Sequence, residues 1–187
     1  FPISIDFDDC PSPSISLTSK QSKGLTKQEL LQPFGIQAEW MAVGVDRLDY
    51  TKGILERIRS IEHFLNQYPD YKEKFVFVEL GAPSRTIIPQ YGSFIEEVDK
   101  EVARINLQLQ TPNWKPILFL KKHHSHSEIE PFYKAADVCL VTSLHDGMNL
   151  VAKEFVKAKN NEDGVLILSQ FTGAARELYD ALLINPY

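Results

Sequence analysis

The chain has 187 residues, 43% of them hydrophobic and 24% charged, a balance that builds a sizeable core in one domain with an appendage. Its formal net charge is -5, from 25 acidic and 20 basic residues, and no long basic run is present, which argues against nucleic acid as a partner. No secretory leader is visible, no apolar run approaches the ~20 residues that span a bilayer, and two cysteines make no disulfide framework, so a cytoplasmic protein with no membrane partner is expected.

The chain opens at Phe1 rather than Met, inside an apolar Phe1-Pro2-Ile3-Ser4-Ile5, and reads as a piece of something longer. Residues 6–37 read as a linker. The stretch from Asp6 to Ser22 is rich in Asp, Ser and Pro and lacks periodicity. Thr26-Lys27-Gln28-Glu29 has capping-box form and predicts a short helix ending near Pro33-Phe34-Gly35. From Ala38 onward, 38–187, short apolar runs alternate with helical patterns. Strands are predicted over 40–45, 75–80, 117–120, 138–142, 165–169 and 181–184, rich in Val, Ile and Leu and apolar on both faces, as buried parallel strands are. Helices are predicted near 54–67, 91–107, 127–136, 149–159 and 173–180. In the first, Ile54, Ile58, Ile61 and Leu65 share one face, as core packing requires. Ser127-Glu128-Ile129-Glu130 predicts a second capping-box start. Cys139, in mid-strand, reads as a small buried hydrophobe. Repeated β–α units with right-handed crossovers give an α/β fold: a Rossmann-like, doubly wound parallel sheet of about six strands with helices on both faces.

In open α/β sheets ligands bind beyond the carboxyl ends of the strands, so each loop that follows a strand is a candidate. After the first strand, Arg47 and Lys52 lie in Gly44-Val45-Asp46-Arg47-Leu48-Asp49-Tyr50-Thr51-Lys52-Gly53. A planar guanidinium fork and an ammonium point charge there suit a diphosphate. They equally suit two solvated surface cations. After the second strand, Arg85 in Gly81-Ala82-Pro83-Ser84-Arg85 suits a phosphate on a second substrate or a surface ion pair. After the third, Lys121-Lys122-His123-His124-Ser125-His126 invites a metal reading. Its spacing matches no zinc pattern and no nearby Cys or Asp completes a ligand set, which leaves nucleotide or sugar contact, or a capping loop with solvated His.

After the fourth strand comes Ser143-Leu144-His145-Asp146-Gly147-Met148-Asn149-Leu150-Val151-Ala152-Lys153-Glu154: a strand, a Gly turn and a helix N-terminus. The free N–H groups and positive dipole end of such a helix form an anion site. Glu154, eight residues past Asp146, is a carboxylate and serves hydroxyls rather than phosphate. A phosphate cradle beside a hydroxyl-reading acid suggests a nucleotide or nucleotide-sugar diphosphate; an ordinary loop with a surface acid is the other reading. After the fifth, Gly173-Ala174-Ala175 permits close backbone approach, chiefly for tight helix–sheet packing. Gly-x-Ser-x-Gly, the ATPase phosphate loop and the Gly-x-Gly-x-x-Gly dinucleotide motif are all absent from the sequence.

The stretches Val45-Asp46-Arg47-Leu48-Asp49-Tyr50-Thr51-Lys52-Gly53, Pro83-Ser84-Arg85, Asp146-Gly147-Met148-Asn149-Leu150-Val151-Ala152-Lys153-Glu154 and Leu168-Ser169-Gln170-Phe171-Thr172-Gly173-Ala174-Ala175 closely resemble the trehalose-6-phosphate synthase family. The resemblance implies two facing Rossmann-like domains, the GT-B architecture. It also implies transfer of glucose from a nucleotide donor, usually UDP-glucose, to glucose 6-phosphate, with retention and with neither metal nor other cofactor. By position it implies that Arg47 and Lys52 hold the donor diphosphate and act in catalysis, and that Arg85 contacts the acceptor phosphate. Asp146 and Gly147 then form the sugar-binding turn, Met148, Asn149, Leu150 and Val151 give backbone contacts, and Glu154 takes the ribose hydroxyls. His145 stands where many members have Arg, and His124 where some have an aromatic residue near the nucleobase; either change can retune specificity.

The chain then corresponds to the carboxyl-terminal, donor-binding half of GT-B, without the amino-terminal acceptor domain or the final segment that crosses back to it. It is expected to bind donor weakly and to turn over little or nothing. Two other readings are kept: a relative with another sugar- or polyol-phosphate acceptor, and a catalytically silent sugar-nucleotide-binding module.

Overall fold

The computed structural model describes Ile5 and residues 25–84, 89–159 and 163–187. Six strands form one parallel sheet: β1 (Trp40–Arg47), β2 (Phe75–Ala82), β3 (Ile117–Leu120), β4 (Val138–Val141), β5 (Val165–Ser169) and β6 (Leu182–Ile184). Their order in space is β3-β2-β1-β4-β5-β6. The chain winds outward from β1 through β2 to β3, then returns to β1's other edge and winds outward through β4 to β6. Right-handed crossovers place the helices of the two halves on opposite faces. Accordingly α2 (Ile54–Gln67) packs with α3 (Pro89–Leu109), and α4 (His126–Ala135) with α5 (Leu150–Ala158).

Central strands carry the core. Met41, Val43, Val76, Phe77, Val78, Ile117, Cys139 and Leu168 are buried, as continuous apolar runs in a two-sided parallel sheet must be. On α2, Ile54, Ile58, Ile61 and Leu65 are buried on the predicted face, and burying side chains of this size contributes about 1.5–3 kcal/mol each. The helix stops at Tyr68, the residue before Pro69, where the proline ring disfavours helical backbone. The short helix α1 (Lys27–Leu31) starts at a capping box: Thr26 N–H donates to Glu29 at 2.8 Å. It ends through a 3-10 turn, Gln32–Phe34, at left-handed Gly35. Leu30, Leu31 and Ile36 join the core, and Lys27 donates to Asp137 at 2.5 Å, so this part of the 1–37 segment is fastened to the amino ends of β1 and β4.

Four expectations shift. β1 and β2 run two residues further than their apolar stretches, because Asp46 pairs with Gly81 and Arg47 with Ala82 in register. The capping box at α4 starts at Ser125, not Ser127; Ser125 has the extended backbone of a cap and its N–H donates to Glu128 at 2.8 Å. The helix expected over 173–180 is a single 3-10 turn, Gly173–Arg176. Its first N–H groups, which no helix satisfies internally, are met by the neighbouring loop: Gly173 N–H by Asp146 O at 3.2 Å and Ala174 N–H by Met148 O at 2.8 Å. β6 is not buried on both faces, since it is the edge strand and exposes Leu182 and Leu183.

The strand order reverses between β1 and β4, so their carboxyl-end loops diverge and leave a crevice. The two loops are nevertheless stitched together at their bases. Thr51 O accepts from Leu144 N–H at 2.8 Å and His145 N–H at 3.3 Å. Thr142 Oγ1 donates to Gly53 O at 3.2 Å. Gly53 has φ +64, and a Cβ there would strike Thr142 O. Gly53→Ala is therefore expected to cost about 1–3 kcal/mol in urea unfolding; unchanged stability would show that the seam relaxes freely.

Candidate functional site

The crevice holds a cavity of about 740 Å³. Arg47, Lys52, His124, Asp146, Gly147, Met148, Asn149, Leu150, Val151 and Glu154 line it, with Asp46 among its other lining residues. All the sequence-expected donor residues thus meet in one place. Arg85 lies outside the described residues, so its expected place is not part of this geometry.

Loop 48–53 is built by local hydrogen bonds. Asp49 has extended backbone and accepts from Thr51 N–H and Thr51 Oγ1, both at 2.9 Å, which caps the 3-10 turn Tyr50–Lys52. That turn ends at Lys52, whose Nζ reaches across the crevice to Asp146 Oδ2 at 2.5 Å. Arg47, the last residue of β1, is exposed at the cavity wall.

Opposite stands the turn before α5. Asp146 accepts from Lys52, from Asn149 Nδ2 at 3.1 Å and from Met148 N–H at 3.4 Å. Burial works against its charge, but the Lys52 hydrogen bond and charge, with the Asn149 and Met148 donors, hold its carboxyl below the usual range. Asn149 caps α5, accepting from Ala152 N–H at 3.0 Å with φ 72. Positive φ at a non-glycine residue is strain that surrounding structure must hold in place. Here the 171–174 loop does so: Asp146 N–H bonds Phe171 O at 3.2 Å, and Gly173 leaves no room for a Cβ against Gly147 O. At the first turn of α5, Leu150 and Val151 have N–H groups without intrahelical acceptors, a place for an anion.

Glu154 lies on the next turn. Its Oε2 accepts from Tyr133 at 3.2 Å and its Oε1 is 3.5 Å from His126 Nε2. With 19% side-chain exposure it is oriented yet open to the cavity. Burial, aided by Glu154, raises the Tyr133 phenol, which therefore stays a donor. His124 Nε2 is 3.4 Å from Leu120 O at the cavity wall. Among the described residues no cluster of His, Cys, Asp or Glu is placed to hold a metal ion.

Sequence reasoning missed the support beneath the site. Arg57, only 1% exposed, donates to Asp46 at 2.7 Å, Glu79 at 2.8 Å, Thr142 Oγ1 at 2.9 Å and Lys52 O at 3.2 Å. Two signals were available: Arg57 falls on the apolar stripe of α2, and Glu79 interrupts the apolar run of β2. Gly44 is required here, because a Cβ would collide with the Arg57 guanidinium and the Glu79 carboxylate. Burial pushes Glu79 up to about 7 against the pull of Arg57, and raises Asp46 as well; one guanidinium does not fully compensate two buried carboxylates.

The profile of glycosyltransferase family 20 matches residues 1–187. The chain is 42% identical over 186 residues to the bifunctional trehalose-6-phosphate synthase/phosphatase of Thermoproteus tenax, covering 100% of this chain and 25% of that protein. The trehalose-6-phosphate structure from E. coli bound with UDP-2-fluoro glucose superimposes with a TM-score of 0.80 at 37% identity, covering 90% of this chain and 38% of that one. The α,α-trehalose-phosphate synthase (UDP-forming) of Burkholderia xenovorans, in complex with glucose-6-phosphate, gives a TM-score of 0.80 at 38% identity, covering 86% of this chain and 36% of that one. The chain spans between a quarter and two fifths of the length of these relatives.

The folded chain keeps the Glu79 proton up to about pH 7, whereas an ordinary carboxyl releases it near 4.5. Between those values the unfolded state binds fewer protons, so stability falls as pH rises. Glu79→Gln removes the titrating group and keeps an oxygen for Arg57. Urea unfolding from pH 4.5 to 8 is expected to show a flatter profile in the variant; equal slopes would contradict the assignment.

Proposed function

The chain belongs to glycosyltransferase family 20, and on that premise we propose that it is the donor-binding domain of a retaining glycosyltransferase. The reaction moves glucose from UDP-glucose to glucose 6-phosphate and gives trehalose 6-phosphate. One observation carries this reading. A single crevice has two cations on one wall, a helix N-terminus on the facing wall, and an oriented, open carboxylate further along that helix. That polarity fits a nucleoside diphosphate, anionic in the middle and hydroxyl-rich at the ribose. The complexes of the relatives, one with UDP-2-fluoro glucose and one with glucose-6-phosphate, support the same substrates here.

The residues divide the work. As the sugar–oxygen bond breaks, negative charge develops on the departing diphosphate. Arg47, Lys52 and the N–H groups of Leu150 and Val151 stabilise that charge more than the neutral ester link of the ground state, which is the requirement for catalysis. Lys52 is held ready by Asp146 at 2.5 Å, so little reorganisation is needed when phosphate arrives. The turn of Asp146, Gly147, Met148 and Asn149 receives the transferred sugar. Glu154 accepts from the ribose hydroxyls through a carboxylate already oriented by Tyr133, and His124 lies toward the base. Arg85 serves the acceptor phosphate, most of whose pocket comes from a facing domain that closes over the site. A cytoplasmic setting accords with the free thiol of Cys139.

Calorimetric titration with UDP, GDP, ADP and UDP-glucose tests the reading. One nucleotide is expected to bind in preference, UDP by this account. Arg47→Ala and Glu154→Ala are each expected to weaken it about tenfold or more, the cost of a lost charge-assisted hydrogen bond. Binding untouched by either variant, or no nucleotide binding, would contradict the proposal.

A further inference from the structure

Arg57 is a charged side chain with essentially no access to water, on a helix whose other inward residues are Ile and Leu. A buried ion cluster is not in itself a source of stability, since well-packed apolar residues often replace one at no cost. Its partners suggest a different role. They are Asp46, immediately before Arg47; the backbone carbonyl of Lys52; Glu79 on β2; and Thr142, immediately before the 143–149 loop. Thr142 passes the link on, because the oxygen that accepts from Arg57 Nε donates to Gly53 O at 3.2 Å. One rigid guanidinium thus spans the strand that ends in the first cation, the backbone of the second, and the strand that leads into the helix N-terminus. Asp46, which it holds, lines the cavity itself. A lysine has one point of charge and cannot form this planar fork.

We propose that Arg57 is a positioning residue of the donor site: by holding Asp46, Lys52 O and Thr142 in one fork, it fixes the spacing between the Arg47–Lys52 loop and the α5 N-terminus, and so sets the preference for a nucleoside diphosphate over a monophosphate. The inference rests on the donor-site reading above. Diphosphate recognition needs both walls of the crevice at the correct separation, and a charge-assisted hydrogen bond lost at one wall weakens binding about tenfold or more. Glu154, held by Tyr133 on α4 and not by Arg57, keeps its hold on the ribose.

The test is calorimetry of the chain with UDP and UMP, in wild type, Arg57→Lys, Thr142→Val and Thr142→Ser, with thermal unfolding of each. The readout is the ratio of the two affinities, which uniform loosening of the fold does not move. Arg57→Lys and Thr142→Val are expected to lower the UDP-over-UMP preference about tenfold, with UMP affinity changed little. Thr142→Ser, which keeps the hydroxyl, is expected to retain the wild-type ratio. A wild-type ratio in a folded Thr142→Val protein, or equal losses for UDP and UMP, overturns the inference. Should Arg57→Lys fail to fold, the Thr142→Val and Thr142→Ser pair decides alone. A wild-type chain with no preference for UDP over UMP overturns the donor-site reading itself, and this inference with it.

Discussion

A guanidinium sealed from water keeps its charge only if its N–H groups are met by acceptors, and the Arg57 environment supplies them from four separate segments. Much local detail follows from that requirement. Gly44 has no side chain because the Arg57–Glu79 contact occupies its Cβ space. Asp46 remains in strand pairing at the carboxyl end of β1, where the apolar pattern has already ended, so that its carboxylate turns inward to Arg57. Lys52 offers its carbonyl below while its ammonium reaches above, so a single residue links the buried cluster to the open crevice. The carboxyl ends of β1, β2 and β4 are thereby tied together under the cavity.

Above this base the site separates charge by position. The chain as a whole is acidic, with a net charge of -5, yet the β1 loop brings Arg47 and Lys52, and the start of α5 its N–H groups, to the same space. Asp146 serves as the internal counter-ion to Lys52, and three donors stabilise its charge. The strained Asn149 cap and the Gly147–Gly173 contact hold the start of α5 in one arrangement. Strain of this kind persists where neighbouring structure over-determines it, and it concentrates at ligand sites.

The sheet was legible because β2, β3, β4 and β5 are short, apolar on both faces and separated by amphipathic helices. The site loops were legible because the topology places strand ends together and because Arg47, Lys52 and Glu154 have side chains suited to phosphate and hydroxyls. What the pattern hid was long-range compensation. Arg57 and Glu79 are charged residues at apolar positions, and neither reveals from sequence that the other, 22 residues away, is its partner. The 173–180 segment has a helical composition but makes a single 3-10 turn, whose first two N–H groups are met by Asp146 and Met148, a tertiary contact that its own residues do not reveal. β6 reads as a buried strand, yet it lies at the sheet's edge, and position in the sheet is not written in a strand's own residues.

The proposed donor site in the crevice between the β1 and β4 loops has a fixed polarity, phosphate toward the cations and ribose toward Glu154. A crystal structure of the chain with UDP tests it most directly. The diphosphate is expected within hydrogen-bond reach of Arg47, Lys52 and the N–H groups of Leu150 and Val151, with the ribose hydroxyls on Glu154. A nucleotide bound outside the crevice, or lying in it with ribose at the cations and phosphate toward Glu154, would contradict it.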